Sequence, residues 1–219
     1  MPRPRTHDLG ALIDAAERIA SELGPAAVTL RALTDATGMS NGAIYHAFGS
    51  RLGVVGQAWL RAAERYLGIQ KAAVDAALSA PSRGRGEAID AVVAAADAPA
   101  VFAEQRPASA RLLLTVRREA LLGAELPDAL AAELVGLDRA LVELMTTLAS
   151  AVWDRRDRLA VDVIHTCIVG LPTVLLLHGD RVRDPVMRRR LEAAVRAVVA
   201  VGPDDTADHT RPPTSKGLS

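Results

Sequence analysis

A disulfide within the chain is excluded at once, because the 219 residues hold one cysteine, Cys167. Nothing here implies an oxidising compartment. Aromatic residues are scarce at 3%, so the core is expected to be filled by Ala, Leu and Val, which suit close-packed helices. Alternating runs of β-branched residues are missing, which argues against a sheet. An excess of either charge is missing too: 26 Lys and Arg balance 26 Asp and Glu. Bulk charge therefore gives no argument for a nucleic-acid partner, and any such argument rests on local distribution. The opening residues, Met1 to Thr6, lack the apolar stretch of a signal peptide. The run 163–179 comes nearest to a membrane span. Its uninterrupted apolar stretches fall far short of the ~20 residues a span needs, with Asp162 beside it and His165 and Pro172 within it. A buried helix, no membrane partner and a cytoplasmic location are expected.

What is present is helical periodicity. Leu9, Leu12, Ile13, Ala16, Ile19, Ala20 and Leu23 mark one face of a first helix, stopped by Gly24 and Pro25. Thr29 is a predicted N-cap for a short second helix ending at Gly38. Ser40 caps a third, closed by Gly49, and Ser50 caps a fourth that runs to about Leu78. Further helices are predicted at roughly 87–98, 100–106, 108–122, 127–153, 158–178 and 185–201, with a kink at Pro172. The fold class is all-α, about nine to ten helices in total. Domain boundaries are expected at 1–50 for a small head, 51–201 for a larger helical domain and 202–219 for a polar, Pro-rich disordered tail.

Residues 39–48 read MSNGAIYHAF. On a helical wheel Ala47, Ile44 and Phe48 share one arc, Tyr45, Gly42 and His46 another, and Asn41 lies near the seam. The helix start offers unpaired N–H groups and the positive end of the dipole. Gly42 allows close approach, and no Asp or Glu occurs from Gly38 through Gly53. A short helix, a glycine-containing turn and a second helix with polar residues at its start make a helix-turn-helix, whose second helix enters the major groove. The same spacing also fits an ordinary corner between two helices.

The stretch TLRALTDATGMSNGAIYHAFGSRLGVV, residues 29–55, resembles the DNA-binding signature of TetR/AcrR-type transcriptional repressors. The shared marks are Thr29, the turn from Ala36 through Gly38, Met39 and Ser40, the pair Ala43-Ile44, then Tyr45, Phe48 and Gly49-Ser50. The specific match covers residues 9–60, and the rest agrees in layout only. Two positions depart from the pattern. Ala47 stands where His or Tyr is usual, and Arg51 where Lys is usual, keeping the charge and adding a planar fork for phosphate. The resemblance implies phosphate contacts from Thr29, Ser40, Tyr45, His46 and Arg51. It places Asn41, Gly42 and Ala43 nearest the base edges, with Arg31 beside them. Arg3 and Arg5 are expected at the flanking backbone or minor groove.

The resemblance further implies a homodimeric repressor of a palindromic operator in double-stranded DNA, dimerised through the helices near 158–178 and 185–201. A largely apolar effector would bind in the larger domain. Candidate polar contacts there are Gln105, Arg111, Arg117, Glu119 and His165, with Trp153 as an aromatic wall, although each also fits a solvated or plain core role. The run Arg188–Arg190 is expected to pair with acids at the dimer rim. An enzyme is not expected. The five histidines form no i, i+3 or i, i+4 pair, Cys167 fits a core thiol, and RGRGEA lacks the third glycine and the strand of a phosphate loop. No cofactor, metal or catalytic residue is expected. The alternative is a helical small-molecule-binding or protein-interaction protein without DNA binding.

Overall fold

The structure is a computed structural model that describes residues 9–79, 84–116, 128–177 and 181–204. Among the described residues it is all helix. Helix α1 spans Leu9–Leu23, α2 Leu30–Thr37, α3 Asn41–Phe48 and α4 Arg51–Leu78. Then come α5, Arg85–Gln105, α6, Pro107–Thr115, and α7, Asp128–Trp153. Helix α8 runs over Arg158–Leu177, and α9 over Pro185–Val201.

Local chemistry sets most of these ends. Thr29 accepts from Ala32 N, Ser40 from Ala43 N and Ser50 from Gly53 N, so the caps expected for α2, α3 and α4 are formed. Gly38 closes α2 at φ 69°, a left-handed conformation that favours glycine. Asp157 caps α8 by accepting from Leu159 N and Ala160 N, and Asp184 caps α9 through Val186 N and Met187 N. At the start of α5 the Glu87 carboxylate reaches back to Gly84 N at 2.8 Å.

Two apolar clusters organise the chain. The first holds Leu12, Ala16 and Ile19 of α1, Leu33, Met39 and Ile44, together with α4 from Val54 to Ala63. It also takes in Leu112 and Val116 at α6 and Leu130 and Leu134 of α7. The head is thus not sealed by its own three helices, as its small size leads one to expect. The second cluster joins α5, the later part of α7, α8 and α9 around Val92, Leu148, Ile164 and Val195. Helix α4 runs from one to the other.

Two expectations need correction. The stretches 87–98 and 100–106 form one helix, α5, with Pro99 inside it. Around Pro172, where a kink is expected, α8 has widened turns over Thr166–Gly170 and Thr173–Leu177, and Leu171 N–H bonds back five residues to Thr166 O. And Ala47, placed in the apolar arc, is exposed. An eight-residue helix ending at Gly49 has room to bury Ile44 and to half-bury Ala43 and Phe48, but not the side that carries Ala47. The helix 108–122 is described as far as Thr115, and residues 205–219 of the expected tail lie outside the described residues.

Candidate functional site

Helix α3 is held at three points. Ile44 is fully buried beneath it. Asn41 Oδ1 accepts from the Thr34 hydroxyl of α2 at 2.8 Å, which fixes the angle between the two helices of the motif. At its far end Gly53 of α4 packs against it so closely that an added Cβ would lie 2.0 Å from the Phe48 carbonyl oxygen. Gly53 was missed as a structural requirement in the sequence because the close approach joins two separate helices.

The outward side then follows. Ser40, Asn41, Gly42, Tyr45 and His46 are exposed, Tyr45 at 64%, and nothing lies within 4 Å of a Cβ built on Gly42. Ala43 is half-buried. Thr29 and Arg31 are exposed at the start of α2, where Arg31 pairs loosely with Asp35 at 3.9 Å. Arg51 is engaged differently: its guanidinium donates to Pro25 O at 3.0 Å and Val28 O at 3.3 Å, tying the start of α4 to the turn before α2. The acids of the head are drawn off. Asp14 and Glu17 take Arg61 at 2.6 Å each, and Arg65 adds a bond to Glu17 at 3.3 Å. What remains is a polar, acid-free helix face beside a helix N-terminus, suited to a phosphate-lined groove.

A second feature lies deeper. A cavity of about 300 Å³ is lined chiefly by α4, α5, α6, α7 and α8. Its wall is apolar apart from Tyr66, Gln70, Asp138 and Thr173, with Trp59 and Phe102 among its aromatic faces. The Tyr66 ring meets Phe102 edge to face at 5.6 Å. Burial pushes the Tyr66 phenol upward in pKa, so it stays a hydroxyl at any working pH.

The effector candidates named from sequence are elsewhere. Gln105 and His165 are exposed and do not line this cavity. Arg111 points to α1, donating to Ser21 O at 3.2 Å. Trp153 is half-buried against the end of α9, its Nε1 3.3 Å from where a Gly202 Cβ would sit. Arg117 and Glu119, like Arg3 and Arg5, lie outside the described residues. Tyr66 and Gln70, which do line the wall, were overlooked because isolated polar residues in a long helix read as surface. Cys167 is fully buried, and burial pushes its thiol up to about 12, which suits a core role. Among the described residues no group of three or more His, Cys, Asp or Glu is placed to hold a metal ion. Arg188, of the run expected at a dimer rim, pairs within the chain, with Asp97 and with Glu104 at 2.8 Å.

Helix α8 is the one described helix long and apolar enough to cross a membrane, and only 33% of that apolar window is buried in the single chain. Leu159 and Val174 are exposed on it in the single chain, at 39% and 60%.

Residues 12–58 match the model of the bacterial regulatory proteins of the tetR family. No curated protein matches the chain. The fold is similar to a putative tetR family transcription regulator from Shewanella sp. PV-4, with TM-score 0.57, 14% identity and coverage of 85% of this chain and 95% of that one. It is similar also to the TetR family regulator PfmR of Thermus thermophilus, with TM-score 0.56, 17% identity and coverage of 86% and 97%. A putative TetR-family regulator from Rhodococcus sp. matches with TM-score 0.55, 18% identity and coverage of 87% and 97%.

Proposed function

From the match of residues 12–58 to the tetR family model and the similarity of the fold, we propose that the chain is a TetR family regulator, a homodimeric repressor released from a palindromic operator by a largely apolar small molecule. The observation that carries this is α3 itself: capped by Ser40, locked to α2 through Thr34 and Asn41, and showing Gly42, Tyr45 and His46 outward with no acid on α3.

In this reading α3 lies in the major groove, with Asn41, Gly42 and Ala43 nearest the base edges. Thr29, Ser40, Tyr45, His46 and Arg51 hold phosphates, and Arg31 reaches in from α2. Two heads of a two-fold dimer read half-sites about one turn apart, ~34–36 Å. The partly uncovered apolar side of α8, with Val186 on α9, supports pairing of two chains through these helices. The division at about residue 50 separates reading from sensing, although the cores of the two parts are shared at α4.

The cavity is the effector site in this proposal. Its occupant favours a spacing of the heads that misfits the operator, transmitted along α4. Only a difference in affinity for the two states can do this, and a shift from 1:99 to 99:1 requires about 5.5 kcal/mol. Selecting bound sites from random duplexes tests the first half. A recovered palindrome, bound with a steep salt dependence, supports it. No enrichment and no salt slope would favour a helical binding protein without DNA contacts, a reading to which the internal engagement of Arg51 lends some weight.

A further inference from the structure

We propose that the cavity selects an uncharged, largely apolar molecule bearing one hydroxyl or N–H donor, and that Gln70 Oε1 is the acceptor that reads it. This rests on the cavity being an effector site, and it deepens that proposal.

The argument begins in α5. Pro99 has no N–H, so the carbonyl of Ala95, four residues earlier, loses its helical donor. A buried carbonyl without a partner is costly. Gln70 of the neighbouring α4 supplies the missing bond, donating Nε2 to Ala95 O at 2.9 Å. This is why Pro99 is tolerated inside a continuous helix. It also orients the amide: with Nε2 committed to α5, Oε1 is left over. Gln70 is fully buried, and Oε1 has no hydrogen-bond partner.

Gln70, Pro99 and Tyr66 all belong to the cavity wall. The Tyr66 oxygen receives a long 3.5 Å contact from Gln70 Nε2, which leaves the phenol's own hydrogen available. The wall thus holds, on neighbouring turns of α4, one residue with an unanswered acceptor and one with a donor hydrogen, in an otherwise apolar lining. A hydroxyl answers both. Among the described wall residues the only carboxylate is Asp138, and none is Lys, Arg or His. An anion would meet the unpaired Oε1 of Gln70, and none of the described wall residues brings it a positive charge.

The test uses the full chain and three fluorescent probes of one shape at neutral pH: 2-naphthol, 2-methoxynaphthalene and 2-naphthoate. The expected order is naphthol tightest, the ether about tenfold weaker, roughly what one unpaired buried acceptor is worth, and the naphthoate weakest. Gln70→Met is expected to bring the naphthol-to-ether ratio close to one, chiefly by weakening naphthol. General loosening of the cavity would weaken both probes and leave the ratio standing. Should Gln70→Met fold poorly because Ala95 O is orphaned, the double variant with Pro99→Ala restores that carbonyl's helical donor and asks the same question. Equal binding of naphthol and ether by the wild type, tightest binding of the naphthoate, no binding of any probe, or a ratio that survives removal of Gln70 would each overturn the proposal. Release from operator DNA is measured separately. A protein that shows the ratio and its loss on Gln70→Met, yet is not released by 2-naphthol, retains the Gln70 role and loses the effector reading.

Discussion

Arg61 on α4 donates to the buried carboxylate of Glu17 on α1 at 2.6 Å, and the Ser109 hydroxyl of α6 donates to the other oxygen of the same carboxylate. One acid therefore joins the first helix of the head, the long connecting helix and the helix that carries Ala110 into the cavity wall. Glu17→Ala leaves Arg61 and Arg65 facing an empty, largely dry position and is expected to cost about 3 kcal/mol of stability, seen in chemical denaturation. Ser109→Ala removes only the link to α6. It is expected to leave duplex binding near the wild-type value while reducing the effect of a cavity ligand on that binding. An unchanged ligand effect would show that the coupling runs elsewhere.

Glycines on α4 are expected to answer a methyl group in opposite ways. Gly53→Ala drives a Cβ to within 2.0 Å of the Phe48 carbonyl oxygen, so the junction of α3 and α4 must shift. A loss of about 1–3 kcal/mol is expected, as for overpacking in general. Gly68 has nothing within 4 Å of the same atom. Gly68→Ala is expected to stabilise the helix by up to about 1 kcal/mol. Thermal melts of the two variants settle the contrast.

Arg51 and Asn41 are expected to fail differently on DNA. Arg51→Ala should weaken binding to all sequences and reduce the salt slope by about one. It should also lower the melting temperature, since its bonds to Pro25 and Val28 go with it. A lowered melting temperature with unchanged DNA affinity would assign Arg51 a purely structural role. Asn41→Ala should relax sequence preference while non-specific affinity changes little. Because Asn41 also accepts from Thr34, Thr34→Val serves as the control for a simple change of helix angle.

Asp157 sets a pH dependence at the start of α8. The Arg155 side chain, bonded at 2.7 Å, and the Ala160 N–H lower its carboxyl from 3.8 to about 2. A lowered folded-state value means the unfolded chain takes up the proton first as pH falls. The stabilisation is therefore complete above about pH 4 and is lost as pH drops toward 2. The stability difference between wild type and Asp157→Ala should be constant at neutral pH and shrink over that window. A difference that persists at pH 2 would contradict the assignment.

The helix-turn-helix was legible because its signals are local. Thr29, Ser40 and Ser50 cap the helices that follow them within three residues, and Gly38 and Gly49 end α2 and α3 by adopting positive φ. Ile44 declared the buried side of α3 by its spacing. The wheel failed for Ala47, since hydrophobicity states what a residue tolerates, not whether anything covers it.

The cavity was not legible, and the reason is distance along the chain. Tyr66, Gln70, Phe102, Asp138 and Thr173 come from four helices and carry no shared period. Of the residues picked from sequence for useful chemistry, Gln105 and His165 are turned to solvent, Arg111 to α1 and Trp153 to the end of α9. The same holds for Pro99, which reads as a break until Gln70 is seen to supply the bond it removes. The sequence by itself determined the helices, their caps and the polar display on α3, because each depends on neighbours a few residues away. Only the tertiary structure decided where Arg51 and Glu17 are bound and which residue of an apolar wall keeps an acceptor without a partner, because those depend on helices brought together from far along the chain.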